Sequence, residues 1–275
     1  MQLNDFKILV KQIQSLDLEM ILEVDRICKK YCLRYFLAYG TLLGAVRHQG
    51  FIPWDDDADL FMPNEDYEKF KEIVKTELNQ KFRFETLFSM PDNIVPWGKV
   101  LYKDKVLEDY PRQGLNVHHE VSIDIFPLYQ FPMDEVKIEK LGKSNYKNFH
   151  ILIGKTRWKN RNKIKYYLNR IYGIFHFGNK NHYKRKMLKE LEQFENTKKD
   201  YYLSPCLNGR SDQIINVFPQ KWFENHILME FEGRLLPVPE SYVKFLEQIY
   251  KDYMTLPPEN KRWNINHDII YHKFN

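Results

Sequence analysis

Residues 51–63 read FIPWDDDADLFMP, and the run Trp54-Asp55-Asp56-Asp57-Ala58-Asp59-Leu60 within them decides the fold. Read as an extended strand, it places residues two apart on one face. Asp55, Asp57 and Asp59 then align on one side, while Ala58 and Leu60 can join a core. Strands disfavour Asp, and neighbouring carboxylates repel one another. A hard divalent cation would neutralise such a cluster, and magnesium is commonly held by one or two carboxylates plus substrate phosphates. A solvated acidic loop is the plain alternative. An EF-hand is not, because the spacing lacks its glycine and terminal Glu.

Working outward, a second segment matches. In Val121-Ser122-Ile123-Asp124-Ile125-Phe126 the β-branched residues Val121, Ile123 and Ile125 line one face and Asp124 falls on the other. A lone carboxylate on an apolar strand needs a partner, and a cation shared with Asp57 and Asp59 would supply one. Upstream, a short strand over residues 33–39 leads to Gly40-Thr41, which opens a helix ending near Gly50. Such a glycine turn at a helix N-terminus offers free backbone N–H groups to a phosphate. Arg47, His48 and Lys99 add cations to that expectation. The order is strand, Gly-Thr, helix, strand with Asp-x-Asp, then a later strand with a third Asp.

That order resembles the nucleotidyltransferase fold, an α/β (α+β) mixed sheet flanked by helices. Within it the chain is similar to the LicD family of phosphorylcholine transferases. The resemblance is carried by Tyr39-Gly40-Thr41-Leu42-Leu43-Gly44-Ala45-Val46-Arg47-His48 and by Gly50 to Asp59. Downstream it is carried by Ile123 to Leu128, Phe231-Glu232-Gly233, Asp252-Tyr253-Met254, Pro257-Pro258, Arg262 and His267. The fukutin-type glycan-modifying proteins share the first block, so that block does not fix the substrate. One departure is Lys251, where family members commonly have Gly.

The resemblance implies transfer of phosphocholine from CDP-choline to a sugar hydroxyl, with release of CMP. It implies one or two Mg²⁺ ions, or Mn²⁺, held by Asp57, Asp59 and Asp124. Asp124 or Asp55 would take the proton from the attacking hydroxyl, and the choice between them stays open. Gly40, Thr41, Arg47, His48 and Lys99 would hold the nucleotide phosphates. Arg262 and His267 are expected contributors from the C-terminal part. The acceptor is a lipid-linked glycan of the teichoic-acid, lipopolysaccharide or capsule type. Three rival readings remain open: another phospho-alcohol (glycerol, ribitol or ethanolamine phosphate), a true nucleotidyltransferase, and a membrane-associated scaffold with a degenerate site. A quaternary ammonium favours aromatic faces. Trp54, Trp97, Tyr110 and Trp263 are the candidates, with no ground for choosing among them.

The rest of the chain bounds the reading. Its 275 residues, 43% hydrophobic and 29% charged, suit one large domain with an insertion. We expect a core over residues 1–135, a basic and mostly helical insertion over 136–195 interrupted near Gly173 and Gly178, and a C-terminal part over 196–275. Residues 4–31 carry apolar side chains at helical spacing, and a further helix is expected over 239–253. Pro63-Asn64 is expected to stop a strand and start a helix, with Asn64 as its N-cap. The first twenty residues, interrupted by polar and acidic positions, read as neither signal peptide nor anchor. Cys28, Cys32 and Cys206 form no paired framework, and Cys28 and Cys32 read as two buried thiols on one helix face. His118-His119-Glu120 reads as structural, because strand neighbours point to opposite faces.

Net charge is +5, yet Lys140 to Lys189 holds 15 Lys/Arg and no Asp or Glu. Aromatics interleave with the cations of residues 155–189. This suggests a surface for an anionic membrane, against a plainly solvated helix face. No nucleic-acid motif accompanies it, so no nucleic-acid partner is expected. The expected location is cytoplasmic and peripheral, at the inner face of the membrane.

Overall fold

A computed structural model describes residues 2–193, 200–205, 216–263 and 269–274. His267 and Cys206 lie outside the described residues. The chain begins with helix α1 (Leu3–Tyr31), whose Phe6, Leu9, Val10, Ile13, Met20, Ile21, Val24 and Ile27 are all buried. This is the helical spacing read from the sequence. Cys28 is buried, but Cys32 is exposed in the left-handed region at φ 54°, where it ends the helix. The shared-face reading therefore fails at Cys32.

A short strand β1 (Phe36–Leu37) leads into α2 (Tyr39–His48), then β2 (Asp59–Pro63), α3 (Asn64–Glu77), β3 (Phe82–Glu85), β4 (Gly98–Asp109) and β5 (Glu120–Phe131). Three helices follow: α4 (Glu135–Thr156), α5 (Lys163–Phe175) and α6 (Lys180–Glu192). The C-terminal part has β6 (Tyr201–Leu203), β7 (Val217–Pro219), the hairpin β8 (His226–Phe231) and β9 (Arg234–Pro239), α7 (Tyr242–Tyr250), α8 (Glu259–Arg262) and β10 (Ile269–Lys273).

The main sheet runs β1-β2-β5-β4-β10, with β3 added at β4 and β6-β7 at β5. Strands β2 and β5 are parallel, and their neighbours are antiparallel, so the sheet is mixed. The α/β class with flanking helices is therefore borne out. The core gathers aromatic rings: Phe61 meets Tyr39, Phe126, Phe218, Phe223 and Phe245 at edge-on or tilted angles.

Three local expectations change. The extended reading of residues 51–61 holds only from Asp59 onward; Asp55 to Ala58 are irregular. Repulsion among the crowded carboxylates opposes a strand pairing there, and α1 holds the loop instead. Gln14 donates its amide to the carbonyls of Ile52 (3.0 Å) and Asp55 (2.8 Å). Asn64 is the first helical residue and Pro63 takes the cap position. Gly173 does not break a helix. It sits inside α5, where an added Cβ would lie 2.6 Å from the Gly154 carbonyl carbon of α4. One break falls at residues 157–162, opened by Arg157 at φ 64°, and the other at residues 176–179, where Gly178 at φ 106° bears out the expected interruption.

Candidate active site

The site forms where β2 and β5 lie in parallel register. Asp59 pairs with Asp124 across the two strands, and Lys99 of β4 pairs with Asp124 on its other side. In-register neighbours project to one face, so the three side chains form a row. Val121, Ile123 and Ile125 point to the core, fully buried, as the alternation requires.

The Asp55–Ala58 loop is fixed at both ends. The Asp59 N–H donates to Thr41 Oγ1 at 2.8 Å, the Asp124 N–H to the Ala58 carbonyl at 2.9 Å, and the Ala38 N–H to the Asp59 carbonyl at 3.0 Å. Gly40, in the first turn of α2, has a reason to be glycine. A Cβ there would stand 2.7 Å from an Asp55 carboxylate oxygen. The glycine turn and the acidic run are thus one packed unit.

The motif pieces far down the chain brace this unit. Glu232 turns between β8 and β9 at φ 50°, and its carboxylate accepts the Phe51 N–H at 3.0 Å. Arg47 donates to the Tyr253 carbonyl at 2.8 Å, and Arg262 to the Pro257 carbonyl at 2.8 Å. Lys251, where the family commonly has Gly, holds φ 58° and ψ −108°. That backbone conformation explains the glycine preference.

The carboxylates are crowded. Burial first, then the charges of Asp57 and Asp56, push Asp55 up to about 8. Its carboxyl is hydrogen-bonded to Asp57. Asp57 keeps contact with solvent and is raised less, to about 6, by its poorly hydrated surroundings and by Asp56 and Asp124. Asp59 is held well above the carboxylate range by burial and then by Asp57 and Asp124. Asp124 accepts from Trp97 Nε1 at 2.8 Å and is paired with Lys99.

Another carboxylate stands behind them. Asp17 of α1 is completely buried, and neither of its oxygens has a hydrogen-bond partner. Burial first, then Asp57, Asp56 and Asp124, hold its carboxyl well above the usual range. Sequence reasoning missed it, although a signal exists: Asp17 falls between Ile13 and Ile21 on the apolar face of α1.

The donor set suits a hard cation. It consists of carboxylate oxygens, carries more negative charge than Lys99 offsets, and includes a buried acid with no partner. As the side chains stand, no three His, Cys, Asp or Glu groups among the described residues converge to hold a metal ion. Asp124 is turned to Lys99 and Trp97, and Asp55 to Asp57.

The expected phosphate ligands do not gather at one point. Gly40 and Thr41 open α2, whereas Arg47 and His48 end it. The intervening helix separates the two pairs by roughly 10 Å. At that far end His48 meets the Trp54 ring edge-on, Arg262 lies over Trp54 at 5.7 Å, and Trp54 packs on Trp263. Burial and then Arg47 hold His48 below its ordinary value. Lys99 is engaged by Asp124. Of the four aromatic candidates, Tyr110 already carries Lys159 and Arg161 over its ring, and Trp263 carries Lys7.

Residues 32–153 match the family described as LicD/FKTN/FKRP, nucleotidyltransferase domain. The lipopolysaccharide cholinephosphotransferase LicD of Haemophilus influenzae is 29% identical over 261 residues, covering 92% of this chain and 94% of that protein. The mouse ribitol 5-phosphate transferase FKRP is 28% identical over 97 residues, 35% of this chain and 17% of that protein. The resemblance read from the sequence is borne out: the chain carries a LicD-type nucleotidyltransferase domain.

Proposed function

We propose that this LicD-domain chain is a phosphotransferase that moves phosphocholine from CDP-choline to a sugar hydroxyl of a lipid-linked cell-surface glycan, releasing CMP. The observation that carries the proposal is the in-register Asp59–Asp124 pair, with Asp55 and Asp57 beside it and the α2 N-terminus against Asp55. Full-length similarity to a cholinephosphotransferase favours phosphocholine as the cargo. The ribitol 5-phosphate transferase keeps a second phospho-alcohol in view, over a shorter match.

Asp57, Asp59 and Asp124 would hold Mg²⁺. When bound, it neutralises the donor diphosphate and the charge that grows on the leaving nucleotide. The protein's own groups do the rest. The backbone N–H groups at the start of α2 would orient an anionic oxygen. Thr41 keeps Asp59 in place through its backbone. Asp55 and Asp124 are the two candidates for receiving the acceptor's proton; Asp55, raised to about 8, holds its own proton near neutral pH and would accept another's only after losing it to a neighbouring cation's field. Trp97 fixes one oxygen of Asp124 and so its direction.

The basic helices supply the membrane contact in this reading. On α5, Ile164, Leu168, Ile171 and Phe175 recur at helical spacing, and they are 73%, 60%, 50% and 77% exposed. Gly173, half a turn round from Ile164, packs on Gly154 instead. The helix therefore buries its glycine, turns Arg170 inward to the Gly154 carbonyl, and presents its apolar stripe outward beside the exposed Lys163. This is the pattern of a helix lying in an anionic lipid surface. No helix among the described residues is long and apolar enough to cross a membrane.

Calorimetry of CDP-choline, CDP-glycerol and CDP-ribitol with Mg²⁺ tests the proposal, on wild type and Asp59→Asn. CDP-choline binding that is lost in the variant is the expected result. Preference for another CDP-alcohol changes the cargo. No binding of any of them to folded protein overturns the transferase reading.

A further inference from the structure

Beside the carboxylates lies a cavity of about 590 Å³ that the proposed chemistry does not use. Its walls come from the core on one side and from α4, α5 and the loop between them on the other. Its size falls within the range of roughly 300–1,000 Å³ usual for small-ligand sites. It abuts the reaction centre. Trp97 lines it and donates its indole N–H to Asp124, and Trp158 lines both this cavity and a neighbouring hollow of about 330 Å³. Asp57, Lys99 and Asp124 open into that hollow.

The two spaces differ in charge. In the smaller hollow seven carboxylates, Asp57, Asp109 and Asp124 among them, outnumber the cations Lys99 and Arg112. The larger cavity has Lys159, Arg161 and Lys165 and, among the described residues, no acidic side chain. A quaternary ammonium is disfavoured in the larger cavity and an anion favoured there. The remaining lining is of the kind that binds sugars. Flat rings of Tyr146, Phe149 and Trp158 stand beside the carboxamides of Asn160 and Asn169. Carboxamides offer paired donors and acceptors that match sugar hydroxyls. Asn145 is 3% exposed, with neither amide atom partnered, and lines the same wall. A buried amide with no partner is costly, and a ligand hydroxyl would remove that cost.

Of the groups expected to hold the donor, Gly40, Thr41, Arg47 and His48 line neither space, and Lys99 lines the smaller hollow alone, so none of them reaches the larger cavity. The cavity is therefore on the acceptor's side of the carboxylates. Lys165 and Asn169 reach it from α5, whose apolar stripe is on a different face. A glycan carried on a lipid would meet both faces of the one helix.

We propose that this cavity is the acceptor site and that it takes an anionic saccharide, a sugar bearing a phosphate or carboxylate. The proposal rests on the reading of the chain as a glycan-directed phosphotransferase. Arg161 and Lys165 are both exposed, so replacing them leaves the core intact.

The test uses ligand-observed NMR and calorimetry on the full chain with three probes: glucose 6-phosphate, glucose, and CDP with Mg²⁺. Wild type is expected to bind glucose 6-phosphate at least tenfold more tightly than glucose. Arg161→Ala combined with Lys165→Ala should lose that preference, with CDP affinity unchanged within twofold. Equal binding of the two sugars by wild type overturns the proposal, as does an undiminished preference in the double variant. Loss of CDP binding in the double variant also overturns it, by making the cavity a nucleotide site. If wild type binds glucose 6-phosphate but not CDP, the phosphotransferase reading fails and the anion-sugar site stands by itself.

Discussion

The acidic centre between β2 and β5 and the basic hairpin of α4 and α5 break opposite rules of folding. At the centre, carboxylates crowd together and one of them, Asp17, is wholly buried without a partner. On the hairpin and just beyond it, large apolar side chains face solvent, Phe175 and Phe177 at 77% and 95% exposure. Each violation is held by ordinary structure: Gln14 and Thr41 clamp the acids, and a Gly154–Gly173 contact orients α5. Both places cost stability, and under the proposed function a cation would relieve the one and a lipid surface the other.

The largest effect is expected at the centre. Asp59→Asn should cut phosphocholine transfer by at least about 10³-fold, the several kcal/mol of charge stabilisation lost with a ligand, in a protein that still folds. Turnover of CDP-choline measures this. Activity within tenfold of wild type would remove the acidic centre from the chemistry.

The pH dependence of stability comes next. Asp55 near 8, Asp57 near 6, and Asp59 and Asp17 raised, mean that the folded chain binds more protons than the unfolded one above pH 4. Stability without added metal should therefore fall as pH rises from about 4 through 8, by on the order of 1–3 kcal/mol, with the share from solvent-exposed Asp57 reduced by screening. Denaturant melts at pH 5 and pH 8 read this. Asp55→Asn should flatten the slope, and Mg²⁺ at pH 8 should restore stability.

Asp17→Leu isolates the buried acid. Replacing an unpartnered buried carboxyl by an apolar side chain should raise unfolding stability by about 1–2 kcal/mol. A loss of stability would mean that the centre is less strained than its counterpart hairpin. On the hairpin itself, Ile171→Asp with Phe175→Asp should weaken sedimentation with phosphatidylglycerol vesicles about tenfold and leave melting nearly unchanged, since both side chains already face water. Binding that survives would reduce α5 to a solvated helix. The smallest effect lies outside both regions. Lys251→Gly should stabilise by about 1 kcal/mol, because Lys251 holds a positive φ.

Much of the centre is legible in the amino-acid order. Alternation in residues 121–126 places Asp124 opposite the core, and helical spacing places α1. The Gly-Thr turn, the acidic run and the later Asp identify the domain that the comparison bears out. Other features are not legible there. Alternation predicts one face for Asp55, Asp57 and Asp59, but local repulsion and the Gln14 clamp make Asp55 to Ala58 a loop. Composition locates the basic block, yet only packing reveals which face of α5 is free.

The sequence by itself determined which side chains exist and the period at which they repeat, because period 2 and period 3.6 are local properties of the backbone. It therefore settled the mixed α/β class, the apolar faces and the separation of acidic from basic segments. Only the tertiary structure decided that Asp17 stands behind Asp57, that Lys99 is taken by Asp124, and that Arg47 donates to the Tyr253 carbonyl. Those are contacts between segments distant in the chain, fixed by strand register and by how closely backbones can approach, and no local pattern encodes them.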